Sequence, residues 1–115
     1  MLPRSVRLRK THEFEQVYQQ GRRVSMEGFT VYALQRKDAS HSRVGFVTGR
    51  RLGTHGVRNR AKRRLRAVVR ALWEYLPPHH DLVFVARQPV LRMSHEMLMM
   101  QVRQALQKLS AGDSV

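Results

Sequence analysis

The sequence predicts an α+β domain with the element order α-β-β-β-α-β-α. Three observations carry this. Ala61, Leu65, Val68, Val69, Leu72 and Leu76 fall on one stripe at about 100° per residue, the period of a helix with one buried face. Phe29–Leu34 and Arg43–Thr48 are short and rich in β-branched and aromatic residues, as strands are. Asp81–Ala86 is almost continuously apolar, the pattern of a central strand covered on both faces.

The elements follow in order. Residues 1–10 carry Arg4, Arg7, Arg9 and Lys10 without any period and predict an extended basic arm. Thr11 is the expected N-cap of a short helix with Glu13 in its first turn, and Gly21 its expected C-cap. Phe14, Val17 and Tyr18 share one face of that helix. Two readings of the aromatics are open: they are core, or they line a groove where bases stack. Val24–Met26 is a short strand piece and Glu27-Gly28 a turn. In the next strand Phe29, Val31 and Ala33 face one way and Thr30, Tyr32 and Leu34 the other. Lys37–Ser42 is a polar turn, so that strand and Arg43–Thr48 read as a hairpin. A basic helix is expected to run to about Tyr75, where Pro77-Pro78 stops it; at roughly 19 residues it would be about 28 Å long. Trp73 near its end is expected in the core. Ser94 caps a last helix with Met97, Leu98, Val102, Ala105, Leu106 and Leu109 on its apolar stripe. Residues 112–115 are expected to be a flexible tail, and 1–115 a single domain.

Charge is the feature that points to function. The chain has 22 Lys and Arg against 8 Asp and Glu, a net charge of +14. Such a field attracts polyanions and repels itself. Eighteen of the 22 are Arg, the residue suited to bidentate phosphate contacts and to stacking on bases. There is no cysteine, which excludes a disulfide scaffold and Cys-ligated zinc. No apolar run approaches the roughly 20 residues of a membrane span, and the N-terminus lacks a signal-peptide core. A cytoplasmic protein is expected.

The charge concentrates on one stretch. Six of the nine residues Arg58–Arg66 are basic, and no acid lies between Asp38 and Glu74. As a helix, Arg60, Arg63, Arg64, Arg66 and Arg70 spread over the side opposite the apolar stripe. Asn59, Arg63, Arg66 and Arg70 form a narrow column, with Lys62 at the boundary. Arg58 and Arg60 fall in the first turn, where the helix dipole disfavours cations by roughly 0.3–1 kcal/mol each. Phosphate at that helix start would reverse the penalty. The loop before it holds Gly49, Gly53 and Gly56 but matches neither the Walker pattern nor G-x-G-x-x-G, so a nucleotide site is not expected. Arg50 and Arg51 extend the basic surface. His79-His80-Asp81 and His95-Glu96 do not have the spacing of a hydrolytic metal site, and the acids are scattered singly. No catalytic side chain and no protein-bound metal are expected.

These stretches resemble the protein subunit of bacterial ribonuclease P. The resemblance rests on R-L-R-K at Arg7–Lys10 with F-x-x-V-Y at Phe14–Tyr18, on R-V-G-F-V-T-G-R-R-L-G at Arg43–Gly53, on V-R-N-R-A-K-R-R-L-R at Val57–Arg66, and on D-L-V-F-V-A-R at Asp81–Arg87. It spans roughly Arg7 to Leu109 in colinear order. It implies a two-layer α-β sandwich like the second domain of ribosomal protein S5, with a left-handed β-α-β crossover through the basic helix. It implies a partner, a catalytic RNA that uses Mg²⁺ to remove the 5′ leader of precursor tRNA, with no protein partner and no membrane. Carried over by position, Arg50, Arg51, Arg58, Asn59, Arg60, Lys62, Arg63, Arg66 and Arg70 would hold the RNA subunit. Phe14, Val17, Tyr18, Tyr32 and Lys62 would line a cleft for the single-stranded leader. The sequence departs from the family pattern at Tyr18, where Phe is common, and at Arg50-Arg51, usually lysines. Val47 and Gly49 stand where serines are common. Ala67 stands where an acidic or polar residue often follows. The competing reading is a ribosomal or general RNA-binding protein of the same fold. A membrane-active or DNA-coating protein would not need the strands.

Overall fold

The strand His80–Ala86 forms hydrogen-bonded ladders on both sides and organises the fold. In the computed structural model, which describes residues 2–38 and 40–113, the elements are α1 (Thr11–Gln20), β1 (Arg22–Ser25), β2 (Phe29–Gln35), β3 (Arg43–Val47), α2 (His55–Ala71), β4 (His80–Ala86) and α3 (His95–Asp113). One-turn 3-10 helices lie at Arg4–Val6, Arg50–Leu52, Trp73–Tyr75 and Gln88–Leu91. The strands form one sheet in the order β1-β2-β4-β3. β1/β2 and β2/β4 are antiparallel, with Val24 opposite Val31 and Val31 opposite Phe84. β3/β4 is parallel, with Phe46 opposite Phe84.

The hairpin expected of β2 and β3 is therefore replaced by an insertion. β4 is apolar on both faces and takes the central place, and residues 36–42 step across it. That step is only two strand spacings, about 10 Å. The adjacent parallel pair β3/β4 then needs a crossover, and α2 supplies it.

Alternation along β2 sorts the core. Phe29, Val31 and Ala33, with Val44, Leu82 and Phe84, pack against Ala61, Leu65, Val68 and Val69 of α2 and Leu98, Val102, Ala105, Leu106 and Leu109 of α3. On the other face Val17 of α1 packs with Leu8 and Val83, flanked by the half-buried Phe14, Tyr32, Leu34, Val47 and Val85. The sheet with α2 and α3 makes the two expected layers. The ten-residue α1 adds a partial third and leaves part of its face open.

Several local expectations shift. Thr11 is the first helical residue and not the cap. Glu13 does the capping, its Oε1 accepting from the N–H of Lys10 at 3.1 Å and of Arg9 at 3.4 Å, as a third-position carboxylate can reach back to do. Gly21 closes α1 with φ −81°. Its need for glycine is room: a Cβ would sit 2.5 Å from the Val17 carbonyl oxygen and 2.8 Å from that of Ala33. α2 ends at Ala71, and the chain tightens into the Trp73–Tyr75 turn before the prolines. Trp73 is half-buried against the main core. Ser94 caps α3, its Oγ accepting from Met97 N at 3.1 Å. Met97 itself is 47% exposed and leaves the expected stripe; it lies about 100° round the helix from Leu98. The arm is laid along the outer edge of β3. Leu2 and Leu8 are buried, and Leu8 N donates to Val44 O at 2.8 Å. Of the tail expected over 112–115, α3 includes residues to Asp113, and Ser114 and Val115 lie outside the described residues, as does Met1 of the arm. Among the described residues no helix is long and apolar enough to cross a membrane.

One ion cluster ties α1 to the sheet. Arg43 Nε and Nη2 donate to Asp81 Oδ1 and Oδ2 at 2.9 and 2.8 Å, a bidentate pair, and Nη1 donates to Glu13 Oε2 at 2.7 Å. Arg36 chelates Asp38 at 3.2 and 3.0 Å and lies 3.8 Å from Asp81. Burial alone would raise the Glu13 carboxyl. The N–H groups of Lys10 and Arg9 and the Arg43 guanidinium outweigh burial and lower it.

Arg43→Ala removes both hydrogen bonds to Asp81, whose side chain is only 10% exposed, and leaves it only the Arg36 guanidinium at 3.8 Å. We expect a loss of about 3 kcal/mol in urea unfolding at pH 7. Glu13 is lowered in the folded state, so its contribution is complete above its unfolded value of about 4.3 and is lost as pH falls through the folded value. The gap between wild type and variant therefore narrows as pH falls below about 4.3; a gap independent of pH would remove Glu13 from the cluster's energetics.

Candidate nucleic-acid interface

α2 positions most of the basic residues. Its apolar stripe seats it on β3 and β4, which turns Asn59, Arg60, Arg63, Ala67 and Arg70 to solvent and leaves Arg58, Lys62 and Arg66 half-buried on its flanks. Thr54 caps it, Oγ1 accepting from Val57 N at 3.4 Å. Arg63, Arg66 and Arg70 form the walls of a trough of about 310 Å³ whose floor is Ala67. A longer residue at Ala67 would fill it. The Arg66 guanidinium lies 6.0 Å from the centre of the Phe46 ring, within cation–π range.

Arg64 does not belong to this wall. Its guanidinium donates to the carbonyl oxygens of Val90 and Met93. It ties α2 to the segment entering α3, and the sequence had placed it with its solvent-facing neighbours. Its position on the helix explains the difference: Arg64 stands three residues after Ala61 and four before Val68, both buried, and so lies at the margin of the buried stripe.

Two further grooves continue the surface at the exposed end of β3. Phe46, Val47, Thr48, His55, Arg58 and Lys62 are among the residues lining a groove of about 390 Å³ between the strand and the start of α2. The Arg58 Nε is buried there without a hydrogen-bond partner. The second, of about 520 Å³, lies where the parallel strands β3 and β4 end together. Val47, Leu52, Val85 and Ala86 give it an apolar floor, and Arg50, Arg51 and Arg87 a basic rim. Among the described residues no acidic one lines the trough or either groove. Val47 lines both grooves and also packs with the aromatic face under α1.

On that face, Phe14 sets the edge of its ring against β3 at Gly45, where a Cβ would come within 2.5 Å of the ring. The rings of Tyr18 and Tyr32 meet edge to face at 5.0 Å and 82°. Tyr18 stays 39% exposed. Burial, and Tyr32 beside it, push its hydroxyl up, so it stays neutral at pH 7. Phe14, Tyr18 and Tyr32 are thus brought together as expected. Val17 is not a contact surface: it is completely buried beneath them and braces α1 on Val83. Lys62 lines the groove over β3, and Val47 is its link to the aromatic face.

Sequence reasoning missed His55, Thr48, Val85, Arg87 and Gln88. Arg87 was visible as the end of D-L-V-F-V-A-R. What could not be seen is that β3 and β4 run parallel side by side, which puts Arg87 beside Arg50 and Arg51. Two of the candidate histidines have structural partners: His79 Nδ1 contacts Ser40 O at 2.9 Å and His80 Nδ1 contacts Pro78 O at 2.8 Å. Among the described residues no three His, Asp or Glu side chains are grouped to hold a metal.

Arg64→Ala should lower stability by about 1.5–3 kcal/mol, since charged hydrogen bonds to two carbonyls are lost. Arg63→Ala should stay within about 0.5 kcal/mol of wild type, as an exposed surface change does. Urea unfolding of both variants checks the assignment, and equal effects would overturn it.

Comparison with known proteins identifies the family and the fold. Residues 2–110 match the family model described as Ribonuclease P. The ribonuclease P protein component of Symbiobacterium thermophilum is 38% identical over 107 residues, covering 93% of each chain. That of Geobacillus kaustophilus is 35% identical over 94 residues, 82% of this chain and 78% of the relative. Among solved structures, the Staphylococcus aureus RNase P protein superposes with a TM-score of 0.78 at 26% identity, covering 91% of this chain and 94% of that one. The Thermotoga maritima RNase P protein shares the fold, with a TM-score of 0.79 at 24% identity over 89% of this chain and 96% of that one. With the match running from the arm to the end of α3, and the basic helix, parallel strand pair and aromatic first helix all inside it, the chain belongs to the ribonuclease P protein family.

Proposed function

We propose that this protein works by joining two RNAs: the catalytic RNA of ribonuclease P along α2, and the single-stranded 5′ leader of precursor tRNA across the aromatic face. The observation that carries the reading is the separation of charge. Glu13, Asp38 and Asp81 are held by Arg36 and Arg43 where β3 and β4 begin. The trough and grooves with Arg50, Arg51, Arg58, Lys62, Arg63, Arg66, Arg70 and Arg87 have no carboxylate in their linings. Arg87 gives one N–H to the Met26 carbonyl oxygen; a folded protein that concentrates guanidinium groups without carboxylate partners in concave surfaces is matched to phosphate. Arg60 and Asn59 extend the same surface at the start of α2.

Bond cleavage is the work of the RNA in this reading. In this reading Mg²⁺ would be held by the RNA and would supply there the charge for leader removal; the described linings carry no carboxylate for it. The protein's own part is to neutralise phosphate and to hold the leader on Tyr18, Tyr32 and the edge of Phe14. Stacking tolerates any base and is worth about 1–3 kcal/mol each. Such a complex would act in the cytoplasm, where precursor tRNA is made.

Precursor-tRNA cleavage at low Mg²⁺ tests the reading, with the organism's RNA subunit alone, this protein alone, and both. Activity restored only by the pair is the expected result. Activity of the protein alone would overturn the division of labour, and an RNA subunit indifferent to the protein would favour a general RNA-binding role.

Two variants sharpen the test. Arg63→Ala with Arg66→Ala should flatten the slope of log affinity against log salt by about 1–2 units, whereas Arg64→Ala should leave it unchanged. Tyr18→Ala in the assembled complex should weaken binding of precursor by about 1–3 kcal/mol with no effect on leaderless tRNA; equal losses would place Tyr18 in the core only.

A further inference from the structure

The groove between β3 and the start of α2 carries more than charge. Phe46 stands two residues after Val44 on β3, so both side chains face α2. Val44 is buried in the main core. Phe46, nearer the strand end, is half-buried and lines the groove. One face of its ring is occupied: it stacks on the buried Phe84, with centroids 5.8 Å apart and 23° between the planes.

α2 supplies the other wall. His55, Asn59, Lys62 and Arg66 fall within about 60° of one another around that helix. The first three line the groove together with Phe46, Val47 and Arg58. Arg66 follows in the same row, its guanidinium 6.0 Å from the centre of the Phe46 ring. Among the described residues none hydrogen-bonds the exposed Asn59 side chain, and the buried Arg58 Nε has no partner.

A site for phosphate alone needs only cations and N–H groups. This one adds an aromatic ring, the apolar Val47 and an amide that both donates and accepts. A ring, an amide and cations side by side match the three parts of a nucleotide. The base face stacks on the ring, the base edge meets the amide, and phosphate meets the cations. At about 390 Å³ the groove has the size of a small-molecule site. Arg66 also walls the trough with Arg63 and Arg70, so the groove is continuous with the face proposed for the RNA subunit.

We infer that this groove takes up one unpaired nucleobase of the RNA subunit, stacked on Phe46, with its edge hydrogen-bonded by Asn59 and its flanking phosphates on Arg58 and Lys62. The inference rests on the proposed pairing of α2 with that RNA. It adds one point of base contact to a surface that otherwise meets phosphate.

The test probes the base edges of the RNA subunit with dimethyl sulfate and a carbodiimide, free and bound to this protein. One unpaired base is expected to lose reactivity in the complex. Asn59→Ala should restore the reactivity of that base, and Arg63→Ala, which removes a phosphate contact, should not. Phe46→Leu keeps an apolar side chain on Phe84 and removes the ring. It should weaken binding of the RNA subunit by about 5- to 10-fold, the low end of one base–aromatic stack. The slope of log affinity against log salt should stay unchanged, since no phosphate contact is lost. Phe46→Tyr keeps the ring and should bind as wild type does. Circular dichroism checks that the Phe46 variants fold; if they do not, the Asn59→Ala footprint decides alone. A complex in which no base is protected, or a protected base indifferent to Asn59→Ala, would overturn the inference. So would a folded Phe46→Leu variant that binds as wild type does. An Asn59-dependent footprint found on the leader would overturn the assignment to the RNA subunit. Failure of the wild-type protein to bind the RNA subunit would instead overturn the pairing of α2 with that RNA, and the subsite with it.

Discussion

The constraint on which the rest of the structure depends is the double burial of β4. Six of its seven residues are buried, with only Val85 partly open. A strand with two apolar faces has no stable place at a sheet edge. β4 therefore lies between β2 and β3, runs parallel to β3, and forces the chain between them to travel the length of the sheet. That return is α2. The basic helix is thus anchored by the core it helps to build, and its outer surface is held in register with the ends of β3 and β4.

Charge is distributed to fit. A net charge of +14 on 115 residues costs the folded state self-repulsion. The chain answers by placing several of its few acids where they stabilise structure. Glu13 caps α1 and receives Arg43; Asp81 holds Arg43 by both oxygens; Asp38 holds Arg36. One basic residue of α2, Arg64, is likewise satisfied by carbonyls. Around the trough and the β3 grooves the guanidinium groups have no carboxylate partner, and only Arg87 gives an N–H to a carbonyl, that of Met26.

The short α1 has a matching logic. It is long enough to bury Val17 and too short to cover the sheet. Tyr18, Tyr32 and Phe14 are left half-covered, and glycine at position 45 lets the Phe14 ring lie against the strand backbone. The aromatics are at once packing and surface, so the two sequence readings of them are not exclusive.

Much of this was determined by the sequence itself. Helical and alternating periods are local, so the elements, their buried faces and the basic column Arg63, Arg66 and Arg70 could be read from it. The family match was carried by contiguous motifs. What only the tertiary structure decided is which elements are neighbours and where individual side chains end. The order β1-β2-β4-β3, the meeting of Arg87 with Arg50 and Arg51, and the inward turn of Arg64 depend on contacts between residues far apart in the chain. So do the burial of Val17 and the pairing of Arg43 with Asp81. Periodicity says which face of an element is apolar; it carries no information about what that face meets. Only the packing of the whole chain around β4 supplies that.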